Sequence, residues 1–174
     1  MNRSSSFLFC ILLLSVCAPA WTQPISVNQS EAEISFYFID DEVDGTMGGF
    51  EFTGDIDLSN LPGSAFSGAV ATRTLDTNNW LRSRHLRARK YFNAKDHPKL
   101  IFESTSVSGV KEGFQVIGTL EIKGIEREVN WVFTNNGTAL TGTTQVNTQD
   151  YNISIHTKRE RNEVKITVRL PYSL

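Results

Sequence analysis

The feature that most constrains this chain is a period-two alternation of apolar and polar residues, repeated in short runs from Ile34 to Leu170. Ile34, Phe36 and Phe38 stand against Ser35, Tyr37 and Ile39. Phe50, Phe52, Ile56 and Leu58 alternate with Glu51, Thr53, Asp55 and Asp57, and Leu100 and Phe102 with Ile101 and Glu103. Phe114, Val116, Leu120 and Ile122 oppose Gln115, Ile117, Thr119 and Glu121. Val129, Trp131 and Phe133 oppose Asn130, Val132 and Thr134. Leu140, Thr144 and Val146 continue the set, and Val164, Ile166, Val168 and Leu170 face away from Lys165, Thr167 and Arg169. A period of two sends successive side chains to opposite faces of a strand, so each run predicts a strand with one buried face. Gly48-Gly49, Pro62-Gly63, Glu112-Gly113, Asn136-Gly137 and Arg161-Asn162 supply turn formers between the runs. Short strands joined by short turns pair antiparallel with their chain neighbours. About eight of them predict an all-β domain, either a closed barrel or a sandwich. Closure would remove free edges that invite aggregation.

One stretch breaks the pattern. Residues 77–92 have no period of two; Leu81, His85, Ala88 and Phe92 recur at helical spacing, with Thr77 or Asn78 placed to cap the start. The expectation is a short helix or helical loop crossing one end of the barrel as a lid.

The first twenty residues differ from the rest. Arg3, the apolar run Phe7 to Val16 and the small residues Ala18-Pro19-Ala20 read as an export signal cleaved after Ala20. The run falls short of the about 20 apolar residues a membrane span needs. A retained anchor and lipid attachment at Cys17 are the competing readings. The expected organisation is a signal over 1–20, an extension over 21–30 and a barrel domain over 31–174, with a periplasmic or secreted product. Both cysteines, Cys10 and Cys17, lie in the signal. The expected product therefore has no thiol for a disulfide, a metal site or a nucleophile, and burial alone must stabilise it. The net charge of −2 argues against general nucleic-acid binding, which goes with a clearly basic domain.

Four motifs, in order, resemble the YceI-like family of lipid- and polyisoprenoid-binding proteins. Asp76, Thr77, Asn79, Arg82, His85 and Leu86 match its central motif of Asp-Thr, Asn, Arg-Asp and His-Leu. Tyr91-Phe92-Asn93 is similar to the aromatic element that follows, and His97-Pro98 through Phe102-Glu103-Ser104 to its aromatic-Pro and Phe-x-Ser strand. Gly118 to Gly124 resembles its Gly-x-Leu-x-Ile-x-Gly hairpin. Ser83 and Asn93 stand where the family has Asp, and Asp40-Asp41-Glu42 lies where many members carry a His. The resemblance implies a single antiparallel lipocalin-like barrel, export to the periplasm, and an isoprenoid chain or isoprenoid quinone held in the interior.

An eight-stranded barrel is just wide enough to be filled by side chains or to hold one small ligand. The residues alone favour a filled core; the resemblance turns the expectation to a cavity. The expected wall is Phe36, Phe38, Phe52, Ile56, Trp80, Phe92, Phe102, Phe114, Val116, Leu120, Trp131 and Phe133. Asn79, Arg82 and His85 are the candidates at the mouth, where they either meet a ligand headgroup or tie the lid down. Arg82, Arg84, Arg87, Arg89 and Lys90 form a basic cluster that either touches anionic lipid during transfer or is simply a solvated face. The acidic turn at Asp40, Asp41, Glu42 and Asp44 lacks calcium-loop spacing and is expected to be solvated. His97 and His156 are isolated, and no phosphate-loop, dinucleotide or Gly-x-Ser-x-Gly motif occurs. The expected function is binding, with no catalytic residue, no metal and no required cofactor beyond the lipid itself. A homodimer through an exposed strand face is compatible with it. The alternatives are an enzyme using His85 on a lipidic substrate, a haem or quinone redox partner, and a ligand-free structural barrel.

Overall fold

The inward-facing rows read from the alternation come together on one side of a single curled antiparallel sheet. The computed structural model describes residues 24–174; the export signal, the Ala20 cleavage and the readings on Cys10 and Cys17 lie outside the described residues. The strands are β1 (Ser26–Val27), β2 (Glu33–Phe38), β3 (Val43–Met47), β4 (Glu51–Asp55), β5 (Ala65–Ala71), β6 (Lys99–Val110), β7 (Gly113–Ile122), β8 (Ile125–Asn135), β9 (Ala139–Asn147) and β10 (Glu163–Ser173). The one α-helix among the described residues, α1, spans Trp80–Arg87. Nine strands, rather than about eight, follow the order β3-β2-β10-β9-β8-β7-β6-β5-β4, and β1 adds to β10. Burial along β7 alternates from Phe114 to Ile122, as a strand with one core face requires.

The two ends of the sheet, β3 and β4, are consecutive in the chain, so residues 48–50 themselves cross the seam. Backbone bonds reinforce it: Thr46 bridges Asp76, and the Ala71 N–H donates to the Gly48 carbonyl at 3.0 Å. The outer edge of β4 is covered by one side chain. The Gln29 amide donates to the Phe52 carbonyl at 3.1 Å and accepts the Phe52 N–H at 2.9 Å, as a neighbouring strand would. The described part of the expected 21–30 extension, residues 24–30, is thereby joined to the barrel through β1, Gln29 and the buried Ile25. The β7–β8 hairpin turns on Lys123 and Gly124, both at positive φ (57° and 74°), the geometry whose twist suits a two-residue hairpin.

The helix is shorter than the aperiodic stretch suggested, and its cap is Asn79 rather than Thr77 or Asn78. The Asn79 side chain accepts the N–H groups of Leu81 and Arg82 at 3.1 and 3.0 Å. Its buried face carries Ser83 and Leu86, while Leu81 and His85 of the expected apolar stripe are exposed. The reason is polar: the Ser83 hydroxyl is drawn inward to Asp76 and Thr77. The segment between β5 and β6 closes one end of the sheet, with Leu75, Leu86 and Phe92 buried beneath it.

Candidate functional site: an apolar cavity

The concave face encloses a cavity of about 1040 Å³ of atom-free space, its opening to solvent included. On β10 the wall runs from Val164 through Ile166 and Val168 to Leu170, about 20 Å of strand at roughly 3.3 Å per residue. Among the described residues no ionisable side chain lines it. Its polar lining is confined to Ser35, Thr148 and the Trp131 indole. The Thr148 hydroxyl is already spent on the Ile153 carbonyl at 2.8 Å. Trp131 is 5% exposed and its indole N–H is buried without a partner among the described residues.

Aromatic rings build much of the wall. Phe52 stacks on Phe66 at 5.7 Å, Phe66 meets Phe102 at 6.2 Å, and Phe102 meets Trp131 edge-on at 5.9 Å. Trp131 meets Phe133 at 6.1 Å, and Phe133 stacks on Phe114 at 5.1 Å. Glycines make this lining thin. A Cβ on Gly45, Gly118 or Gly142 would run into the ring of Phe36, Phe102 or Phe133, so each ring occupies room that a neighbouring side chain would otherwise claim. The rings lie against the sheet and leave the middle free.

Eight of the twelve expected wall residues line the cavity: Phe36, Phe38, Phe52, Phe92, Phe102, Leu120, Trp131 and Phe133. Ile56, Phe114 and Val116 are buried but stand off it. Phe114 and Val116 lie on the β6–β7-turn side of Leu120 and Ile122, which do line it. Trp80 is 72% exposed and outside. Unforeseen wall residues include Phe50, Phe66, Leu75, Leu100, Ile122 and the whole inward row of β10. The β10 row and Phe50 were visible in the alternation; Phe66 sits in β5, whose Gly- and Ala-rich sequence gives little apolar contrast.

The mouth candidates do not reach the cavity. Asn79 is committed to its cap. Arg82 donates from Nε to Thr77 Oγ1 at 3.0 Å and from a terminal nitrogen to the Thr77 carbonyl at 2.9 Å. Ser83 Oγ donates to Asp76 Oδ1 and accepts the Thr77 N–H, both at 2.9 Å. The motif that carried the resemblance thus knots the helix to its own leading loop. His85 is exposed, and among the described residues its ring has no polar partner. Arg87 donates to the carbonyls of Ser83 and Arg73 at 3.1 and 2.9 Å.

The acidic turn is engaged internally. Asp40, Asp41 and His156 bring potential ligand atoms within 4.8 Å of one another. Asp40, however, pairs with Arg161, and His156 Nε2 lies 2.9 Å from both Asp41 oxygens. These pairs fasten the β2–β3 turn to the loop that precedes β10. In the same loop region Arg159 holds the Asp150 carboxyl below its ordinary range by a direct hydrogen bond. Burial pushes the Tyr151 phenol up to about 12.

Fold and cavity together define an antiparallel barrel of the lipocalin-like kind with an apolar hollow. Residues 25–172 match the YceI-like domain, and the chain belongs to that family. It is 31% identical over 85 residues to a UPF0312 protein of Yersinia pestis (strain Pestoides F), which covers 49% of this chain and 44% of that relative. The match thus spans less than half the length of such curated relatives. In structure it resembles Burkholderia cenocepacia BcnA, with a TM-score of 0.72 at 18% identity over 83% of this chain and 98% of that one. It also resembles a Campylobacter jejuni YCEI protein, with a TM-score of 0.63 at 16% identity over 76% of this chain and 85% of that one. A polyisoprenoid binding domain from Saccharophagus degradans, implicated in plant cell wall breakdown, gives 0.56 at 12% identity over 87% and 98%.

Proposed function

We propose that this protein is exported and holds a long apolar lipid, an isoprenoid chain or isoprenoid quinone, inside the barrel, as a carrier or sequestering protein. The observation that carries this reading is the cavity itself: about 20 Å of strand wall with no ionisable group among the described residues. Burying apolar surface there contributes roughly 25 cal/mol per Å² without any polar partner. Chain length should therefore set affinity more strongly than headgroup chemistry. The family and the polyisoprenoid binding domain among the structural neighbours support the same ligand class. Binding is favoured over catalysis because His85, the residue an enzyme reading would use, stands on the outer surface away from the cavity. The test is mass spectrometry of the organic extract from protein purified from its native host without detergent. A stoichiometric isoprenoid-type lipid supports the reading. Repeated extraction of nothing, with no uptake on incubation with prenyl lipids, overturns it.

A further inference from the structure

The outer surface of α1 combines exposed apolar and basic side chains that the cavity does not explain. Ser83 and Leu86 are buried, so the opposite side of the helix carries Leu81, Arg84 and His85, with Trp80 at its leading end. Trp80 is 72% exposed and Leu81 46%. A tryptophan and a leucine at the first turn of a helix usually pack inward; here both face solvent. Along this stretch of chain the charge is one-sided, with Asp44 and Asp76 the carboxylates that border its leading loop. Five cations fall between Arg82 and Lys90, and no carboxylate occurs from Thr77 to Lys95. The whole chain carries −2, so the rest of it carries −7 once these five are set aside. Arg82 and Arg87 are committed to backbone carbonyls, as described above. Arg84, Arg89 and Lys90 keep their charge available, with Lys90 Nζ resting 5.3 Å from the centre of the Tyr91 ring.

We propose that this face docks the protein on an anionic lipid bilayer, with Trp80 and Leu81 entering the headgroup boundary and Arg84, Arg89 and Lys90 meeting lipid phosphates. Tryptophan suits such a boundary because its ring is apolar and its N–H is polar. Cations beside it supply the attraction to anionic lipid, which falls away within a Debye length. An acidic protein with one basic, aromatic-tipped face also turns that face to the bilayer and its acidic remainder to water. The same segment carries Leu75 and Phe92 on the cavity wall, so the docked face and the closed end of the cavity are one piece of chain. This inference deepens the carrier reading and gives it a place of loading. Docking itself is measured with empty protein, so its failure would leave cargo binding standing.

The experiment is co-sedimentation of the purified protein with phosphatidylcholine–phosphatidylglycerol vesicles, against pure phosphatidylcholine vesicles and against heparin beads. Wild type is expected to partition onto the anionic vesicles and to release as salt rises. Arg84→Glu with Arg89→Glu should lower that partitioning about 25-fold or more, taking each lost cation as roughly fivefold. Trp80→Ala with Leu81→Ser should lower vesicle binding while leaving heparin binding unchanged. Both pairs are exposed, and an unaltered near-ultraviolet circular dichroism spectrum outside the Trp80 contribution confirms an intact fold. Equal binding to neutral and anionic vesicles, or vesicle binding indifferent to Trp80 and Leu81, overturns the proposal. Retention on heparin with no vesicle binding would overturn it as well and mark the face as a site for a soluble polyanion.

Discussion

The ring of Phe133 lies across Gly142, its cross-strand register partner on β9, where any side chain at 142 would coincide with the ring. Phe36 and Gly45 repeat the relationship between β2 and β3. In each case the glycine lets an aromatic side chain lie against the sheet, and the hollow inside survives although the wall is aromatic. Gly142→Ala is expected to force the Phe133 ring inward. Overpacking of this kind lowers stability by about 1–3 kcal/mol. Chemical denaturation and the capacity for a prenyl lipid check the two consequences, and both should fall together.

Position along the barrel separates cavity wall from filler. Ile166 and Val168 are half-buried and line the cavity. Ile166→Trp should fold and exclude the ligand, because the ring enters space that is already free. Phe114 is buried off the cavity, so Phe114→Ala should cost about 3–5 kcal/mol in stability while the protein that remains folded still binds. Lipid titrations of the two variants, read beside their unfolding curves, check the contrast.

Ser83 stands where the family motif carries Asp, and it holds the buried Thr77 N–H and the Asp76 carboxylate at once. Ser83→Ala leaves that N–H unsatisfied, a loss of about 1–3 kcal/mol. Arg82→Lys keeps the charge and forfeits the forked grip on Thr77, since an ammonium cannot present two fixed donors. Both variants should raise hydrogen exchange at the Thr77 amide, with cargo affinity changed less than stability.

Tyr151 gives a pH signature. It is 1% exposed, its hydroxyl has no partner among the described residues, and burial raises its phenol to about 12. The unfolded phenol titrates near its ordinary value of about 10. Between the two values the unfolded chain binds fewer protons than the folded one, so stability falls as pH rises from about 10 to about 12. Its contribution is fully present below the lower value. Tyr151→Phe should match wild type at pH 8 and lose less stability at high pH; urea unfolding at several alkaline pH values checks this.

Much of this was legible in the chain because burial on one side of a strand leaves a period-two record. The inward rows Phe114–Ile122 and Val164–Leu170 were read directly. So were the turns at Gly48-Gly49 and Asn136-Gly137. Three strands were not: the two-residue β1, placed in the expected extension, and β3, Val-Asp-Gly-Thr-Met, and β5, Ala-Phe-Ser-Gly-Ala-Val-Ala, whose small residues make room for rings and so carry weak apolar contrast. Alternation also fixes a face but not a height along the barrel. That is why Phe114 and Val116 joined the expected wall though they stand off the cavity, toward the β6–β7 turn. Trp80 misled for a different reason: its aromatic bulk suggested burial, and only the direction set by Ser83 and Leu86 turns it to solvent.

The measurement that tests the cavity's role most directly is native mass spectrometry of protein isolated without detergent, wild type beside Ile166→Trp. The predicted result is one isoprenoid-type lipid per wild-type chain and none on the filled variant. A wild-type chain that stays bare after incubation with prenyl lipid, or a variant that retains the lipid equally, would contradict the account.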